Sequence, residues 1–244
     1  MNMTSIIFSR EFKSYFTTPV AYVFIIIFLV LAGVFTFYLG HFYEAEEASL
    51  RAFFTYLPWL FLFLIPAITM RLWSEERKTG TIELLLTLPI SMTQAVLGKF
   101  LAAWAFTAIT ILLTFPLWII VNILGSPDNG VIICGYFGAI LMAGGLLAVG
   151  SCISAATKNQ VIAFIIALAI NFILLLAGFS IVLDAFSGWA PEMLVDAVSS
   201  LSFLTHFESM SKGVIDLRDI IYFVSMIIVW LYATAIIIDS KKAS

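Results

Sequence analysis

Long apolar runs separated by short polar connections set the pattern of this chain. Six of them, at about 20–40, 52–73, 95–123, 131–156, 160–183 and 219–238, are each near or beyond the roughly 20 residues that a helix needs to cross a bilayer core. Ahead of the first run, Phe8, Phe12, Tyr15 and Phe16 recur at helical spacing while Ser9, Arg10, Lys13 and Ser14 occupy the other face. This pattern predicts an amphipathic helix over 1–19 lying in the inner membrane interface, turned into the first span by Pro19. A cleaved signal peptide does not fit, because no small-residue cleavage site follows the apolar run.

Within the runs, a few positions stand out. Pro58 and Pro66 remove backbone donors from the second run and predict a kinked helix. The fourth run, GYFGAILMAGGLLAVGSCISAA, is dense in small residues and predicts a close-packing face, within the bundle or toward a second copy. Asn171 sits at mid-depth in the fifth run, where an amide is costly in lipid. An interhelical hydrogen bond and a contact on a substrate path both answer that cost. The connection over 184–218 is the longest outer segment. Pro191 suits a helix start, and Leu194, Ala197, Val198, Leu201 and Leu204 form an apolar stripe that predicts a helix lying at, or re-entering, the outer interface.

Composition leaves little room for anything else. The chain is 62% hydrophobic and 11% charged, against roughly 25% charged in an ordinary soluble domain, so it reads as one all-α integral membrane domain over 1–244. Orientation follows from the cations. With the N-terminus cytoplasmic, nine Lys and Arg fall on inner segments, including Arg10, Lys13, Arg71, Arg77, Lys78 and Lys99, and only Arg51, Lys212 and Arg218 fall outside. An even number of spans then puts both termini inside. The net charge of −3 averages two oppositely biased surfaces, and no basic patch suggests nucleic acid. Cys134 and Cys152 fall on one predicted span, about 27 Å apart along a helix, which is far beyond disulfide reach.

Enzyme chemistry finds little support. The one Gly-Lys pair, Gly98-Lys99, lacks the preceding glycine and following hydroxyl of a phosphate-binding loop. No helix offers the paired histidines of a zinc protease, so no metal site is expected. The two histidines, His41 and His206, fall near the outer surface, and His206 with Glu208 reads as a solvated pair.

The stretch RLWSEERKTGTIELLLTLPIS, Arg71 to Ser91, joins a charge cluster to a leucine-rich segment inside a loop too short to build its own core. Gly80 suits the start of a helix over Thr81–Leu88, with Glu83 three positions later and Pro89 at its exit. Its apolar side chains cover most of the circumference, which marks a docking site rimmed by Glu75, Glu76, Arg77 and Lys78.

EERKTGTIELLLTLPIS resembles the cytoplasmic loop of type-2 ABC transporter permeases, which carries a coupling helix that sits in a cleft of a separate ATPase subunit. REFKSYFTTPVAYVF is similar to that family's interfacial entry helix and first span, and HFESMSKGVIDLRDIIYF to the approach to the last span in its gliding-motility branch. The resemblance implies six transmembrane helices with both termini in the cytoplasm of a bacterial inner membrane. Gly80, Thr81, Glu83, Leu85, Leu86 and Pro89 would form the coupling segment, with Glu75, Glu76 and Arg77 as its charged lead-in. Phe8, Arg10, Phe12 and Lys13 would form the interfacial helix. ATP and Mg would bind on two copies of the ATPase partner and no cofactor on this chain. A second permease subunit, identical or related, would complete the complex, with an extracytoplasmic accessory protein as a further partner. The alternative is a membrane scaffold or assembly factor without ATP coupling.

Overall fold

The structure, a computed structural model, describes residues 3–44, 47–81, 91–179, 182–184 and 191–240. Everything regular among them is helical. Helix α1 covers Met3–Thr17, and Pro19, in the first turn of α2 (Pro19–Val34), begins the next. A π-helical turn, Phe35–Leu39, extends α2. Helix α3 (Arg51–Thr69) runs on through Pro58 and Pro66 and is followed, after a turn, by the short α4 (Ser74–Thr79).

The third apolar run, expected as one span, is divided into α5 (Met92–Leu112) and α6 (Phe115–Leu124). Pro116 lies in the first turn of α6 and cannot donate to the turn before it. The Thr114 hydroxyl lies at the break, 2.6 Å from the Ile111 carbonyl and 2.8 Å from the Tyr136 hydroxyl. Helices α7 (Asn129–Ala156) and α8 (Gln160–Leu176) follow, then α9 (Glu192–Ser200), α10 (Phe203–Ser211) and α11 (Leu217–Ser240). Among the described residues, five stretches are long and apolar enough to cross a membrane: Pro19–Leu39, Arg51–Thr79, Met92–Leu124, Asn129–Ala156 and Leu217–Ser240. The fifth predicted span is represented by α8, at 17 residues about 26 Å long.

Helix α7 is the centre. Every residue from Leu141 to Cys152 is buried, as expected of a helix that is apolar all round. Helices α3, α5, α8, α10 and α11 all pack on it. Small side chains make this crowding tolerable. A Cβ at Gly145 would fall 2.5 Å from the Phe203 ring, one at Gly138 would fall 2.8 Å from Met210 Cβ, and Gly150 lies directly against Thr69. The small-residue face of the fourth run is therefore consumed inside the chain. Cys134 and Cys152 both sit on α7 and are free.

The segment over 184–218, expected as a helix at or re-entering the outer interface, holds two helices among its described residues, and one further expectation, a solvated His206, is corrected. The segment breaks at Ser202, whose hydroxyl accepts from the Thr205 amide, and α10 then turns Phe203, His206, Phe207 and Met210 into the bundle. His206 is consequently buried rather than solvated. Its Nδ1 lies 2.6 Å from Asp219 Oδ1 and its ring stacks on Tyr222 at 3.9 Å. Glu208 pairs instead with Lys212 at 2.6 Å. Large apolar side chains such as Ile26, Ile165 and Ile228 face outward, the surface that lipid would cover.

The packing around α7 gives a direct test. Gly145→Leu should cost about 1–3 kcal/mol through overpacking against Phe203. Gly33→Leu, where nothing lies within 4 Å of the added atom, should stay within about 0.5 kcal/mol of the parent. Melting temperatures of the detergent-solubilised chains measure both.

Candidate coupling site

At its C-terminal end α3 gives way to a turn whose last residue, Trp73, is fully buried. Hydroxyls on the last turns of α7 hold that turn in place. Ser154 Oγ accepts from the backbone amides of Trp73 and Ser74 at 3.1 and 3.2 Å and donates to the Met70 carbonyl at 3.1 Å. The Trp73 indole donates to Ser151 Oγ at 3.1 Å. The Ser74 hydroxyl also donates to the Met70 carbonyl. A backbone turn buried among helices needs partners of this kind.

From that anchor α4 projects with Glu75 and Glu76 in its first turn and Arg77 and Lys78 in its last, each matching the helix dipole. Arg77 Nη1 donates to the Ala155 carbonyl at 2.7 Å, placing a cation at the C-terminal end of α7. Gly80 has φ +74°, a conformation that glycine adopts without strain, and it ends α4. Thr81 after it is helical, and the rest of the helix expected over Thr81–Leu88 lies outside the described residues. Thr81 follows, its hydroxyl 2.9 Å from that of Thr79.

Glu76 turns inward. Its Oε1 lies 2.8 Å from Lys99 Nζ, and Glu11 Oε2 on α1 lies 3.3 Å from the same ammonium. Arg10 Nη2 closes the series on Glu11 at 2.7 Å. The Lys99 side chain is only 4% exposed and its ammonium stands 5.4 Å from the centre of the Trp73 ring. A lysine this deep is tolerable only when paired. Burial alone would push the Glu11 carboxyl up, but the Lys99 ammonium and the Arg10 guanidinium outweigh it and hold Glu11 below the ordinary carboxylate range. Glu76 Oε2 is buried and makes no hydrogen bond among the described residues.

Helix α1 reaches the cluster by packing along α5. Ile7 fills the space that Gly98 leaves, since a Cβ there would lie 2.7 Å from Ile7 Cγ2. Two turns on, Tyr15 stacks on Phe106 at 4.8 Å. Phe8 and Phe12 stack on each other at 5.5 Å on the half-buried side, while Arg10 and Lys13 are exposed.

Of the residues singled out from the sequence, Glu76 and Arg77 are thus internal ties rather than part of an open rim. Glu75, Gly80 and Thr81 are exposed beside them. Glu83, Leu85, Leu86 and Pro89 lie outside the described residues. Asn171 on α8 is fully buried, yet neither atom of its amide finds a hydrogen-bond partner among the described residues, so no interhelical bond forms there among them. Sequence reasoning missed Glu11, Trp73 and Lys99 as one unit. Signals were present: Lys99 is the sole charge within the third apolar run, and Glu11 interrupts the aromatic stripe of the first helix.

Acidification should loosen α1. The depressed Glu11 carboxyl contributes stability that is fully present above its unfolded value, near 4.5, and lost as pH falls through the lower folded value. Hydrogen-exchange protection of α1, corrected for intrinsic rates, should therefore fall below about pH 4.5 in the parent. In Glu11→Gln it should already be lower at neutral pH, with little further change in that window.

Comparison with protein families returns one match. Residues 41–238 fit the model described as ABC-2 family transporter protein, which takes in most of the chain, including α3, α4 and the central α7. No curated protein matches. The match agrees with the all-helical architecture, with five long apolar helices and with a chain that is the permease component of a transporter rather than its catalytic part. This multi-pass membrane chain belongs to the ABC-2 family of transporter proteins.

Proposed function

We propose that this permease subunit couples ATP hydrolysis on a separate ATPase to export, or to mechanical work on an extracytoplasmic partner. The observation that carries the proposal is the buried Lys99 ammonium held between Glu76 of α4 and Glu11 of α1. Around it, α4 is fastened to α7 through Arg77 and the Ser151 and Ser154 hydroxyls. A push delivered beyond Gly80 therefore meets three helices at once. Short, well-packed elements pass on such displacements because packed cores are bistable rather than continuously deformable.

In this reading residues 71–91 form the cytoplasmic coupling loop, 1–19 the interfacial helix and 184–218 the extracytoplasmic segment of a single six-span domain, with α8 as the fifth span. Glu83, Leu85, Leu86 and Pro89 enter the cleft of the ATPase, two copies of which bind ATP and Mg. Both termini lie in the cytoplasm of a bacterial inner membrane, and a second permease subunit, identical or related, completes the complex. Asn171, with no partner among the described residues, is the polar contact on the translocation path in this reading. The gliding-motility likeness of His206–Phe223 supports the mechanical variant, with an accessory protein receiving the motion outside.

Gentle purification of the tagged chain from its native membranes should recover a soluble ATPase and ATP turnover. Glu83→Ala together with Leu85→Ala should lose both while inserting normally. Recovery of the chain with no ATPase, in a detergent that preserves other complexes, would instead favour a scaffold. Lys99→Met should retain the bound ATPase but lower transport-coupled turnover severalfold more than Lys99→Arg does, and equal turnover in the two variants would remove Lys99 from the coupling path.

A further inference from the structure

At the opposite end of α3, about 28 Å from Thr69 along the helix axis, a cavity of about 790 Å3 opens beside its first turns. That size falls within the range of small-molecule sites. Its floor is apolar, formed by Phe54, Pro58 and Trp59 of α3, Phe179 just after α8, and Leu204 and Phe207 of α10. The rings brace one another: Phe179 stands 6.1 Å from Trp59 and Phe207 stands 6.4 Å from Phe54. Gly178 lets α10 close in beside them, since a Cβ there would lie 2.5 Å from Ser202 Oγ.

Charge is confined to the rim, and most of it is already used. Lys212 is neutralised by Glu208 at 2.6 Å. Asp128 Oδ1 caps α7 by accepting from the Gly130 amide at 2.8 Å. Arg51 lines the same cavity, and among the described residues its guanidinium forms no ion pair, with Glu47 on the same rim or with any other acid. A planar, five-donor cation with no ion pair among the described residues, at the lip of an apolar cavity, suits a phosphate or carboxylate attached to an apolar body.

We propose that this cavity binds an anionic amphiphile, with its phosphate or carboxylate on Arg51 and its acyl chain among Trp59, Phe179, Leu204 and Phe207. The site lies within one chain, away from the coupling cluster, and does not depend on ATPase coupling.

The test uses the full chain in neutral maltoside micelles and lysophosphatidic acid with a dibrominated acyl chain, which quenches tryptophan on contact. Quenching should saturate, and Trp59→Phe should remove that saturable part. Arg51→Gln should raise the half-saturating concentration at least tenfold, and Arg51→Lys should raise it less. Thr55→Phe, which fills the cavity from the exposed side of α3, should abolish saturation with Arg51 intact. Brominated monoacylglycerol, the same chain without phosphate, should bind at least tenfold more weakly, and glycerol 3-phosphate should not compete. Equal quenching of the parent and Arg51→Gln would reduce the effect to partition into the micelle and overturn the proposal. Full competition by glycerol 3-phosphate would make this a small-anion site and overturn it as well.

Discussion

A lysine ammonium buried beneath a tryptophan ring is the constraint around which the meeting point of α1, α4 and α5 is arranged. Two carboxylates reach the buried Lys99 ammonium, and they come from helices far apart in sequence. An unpaired buried ion would cost several kcal/mol, and the two carboxylates together spare Lys99 that cost. The entry helix, the loop helix and the third span are thus held to one another by a requirement of charge balance. Among the described residues the same arrangement leaves Glu76 Oε2 without a hydrogen-bond partner.

The second organising feature is the central helix α7. In lipid the hydrophobic effect does little to hold helices together, so close packing and polar contacts must do so. Helix α7 supplies both in sequence order. Its glycines admit Phe54, Met210 and Phe203 along the membrane-embedded length, and its last turns present Ser151, Ser154 and the Ala155 carbonyl to the loop. The packing helix and the anchor of the turn before α4 are therefore one element, which ties the geometry of that turn to the core of the bundle.

Much of this was legible in the residues. The apolar runs, the amphipathic first helix and the singular loop of 71–91 follow from local periodicity and from the length a bilayer demands. Pro116 was a readable stop signal inside the third run that was passed over. Ser202 was a readable cap in the outer segment, and it divides α9 from α10. Gly80, expected only to open a helix, also closes α4, a role that its positive φ reveals and the local pattern did not.

By itself, the sequence determined that this is an all-helical membrane chain, where its helices begin and which loop departs from the ordinary. Those properties depend on neighbours a few residues apart and on the solvent. Tertiary structure alone decided that Glu11, Glu76 and Lys99 form one ion cluster, that the glycine face of α7 is spent inside the chain, and that His206 meets Asp219 in the interior. Each of these joins residues on different helices. Such pairings depend on the rotation and crossing of the helices, and periodicity along one helix holds no record of which face its neighbour will present.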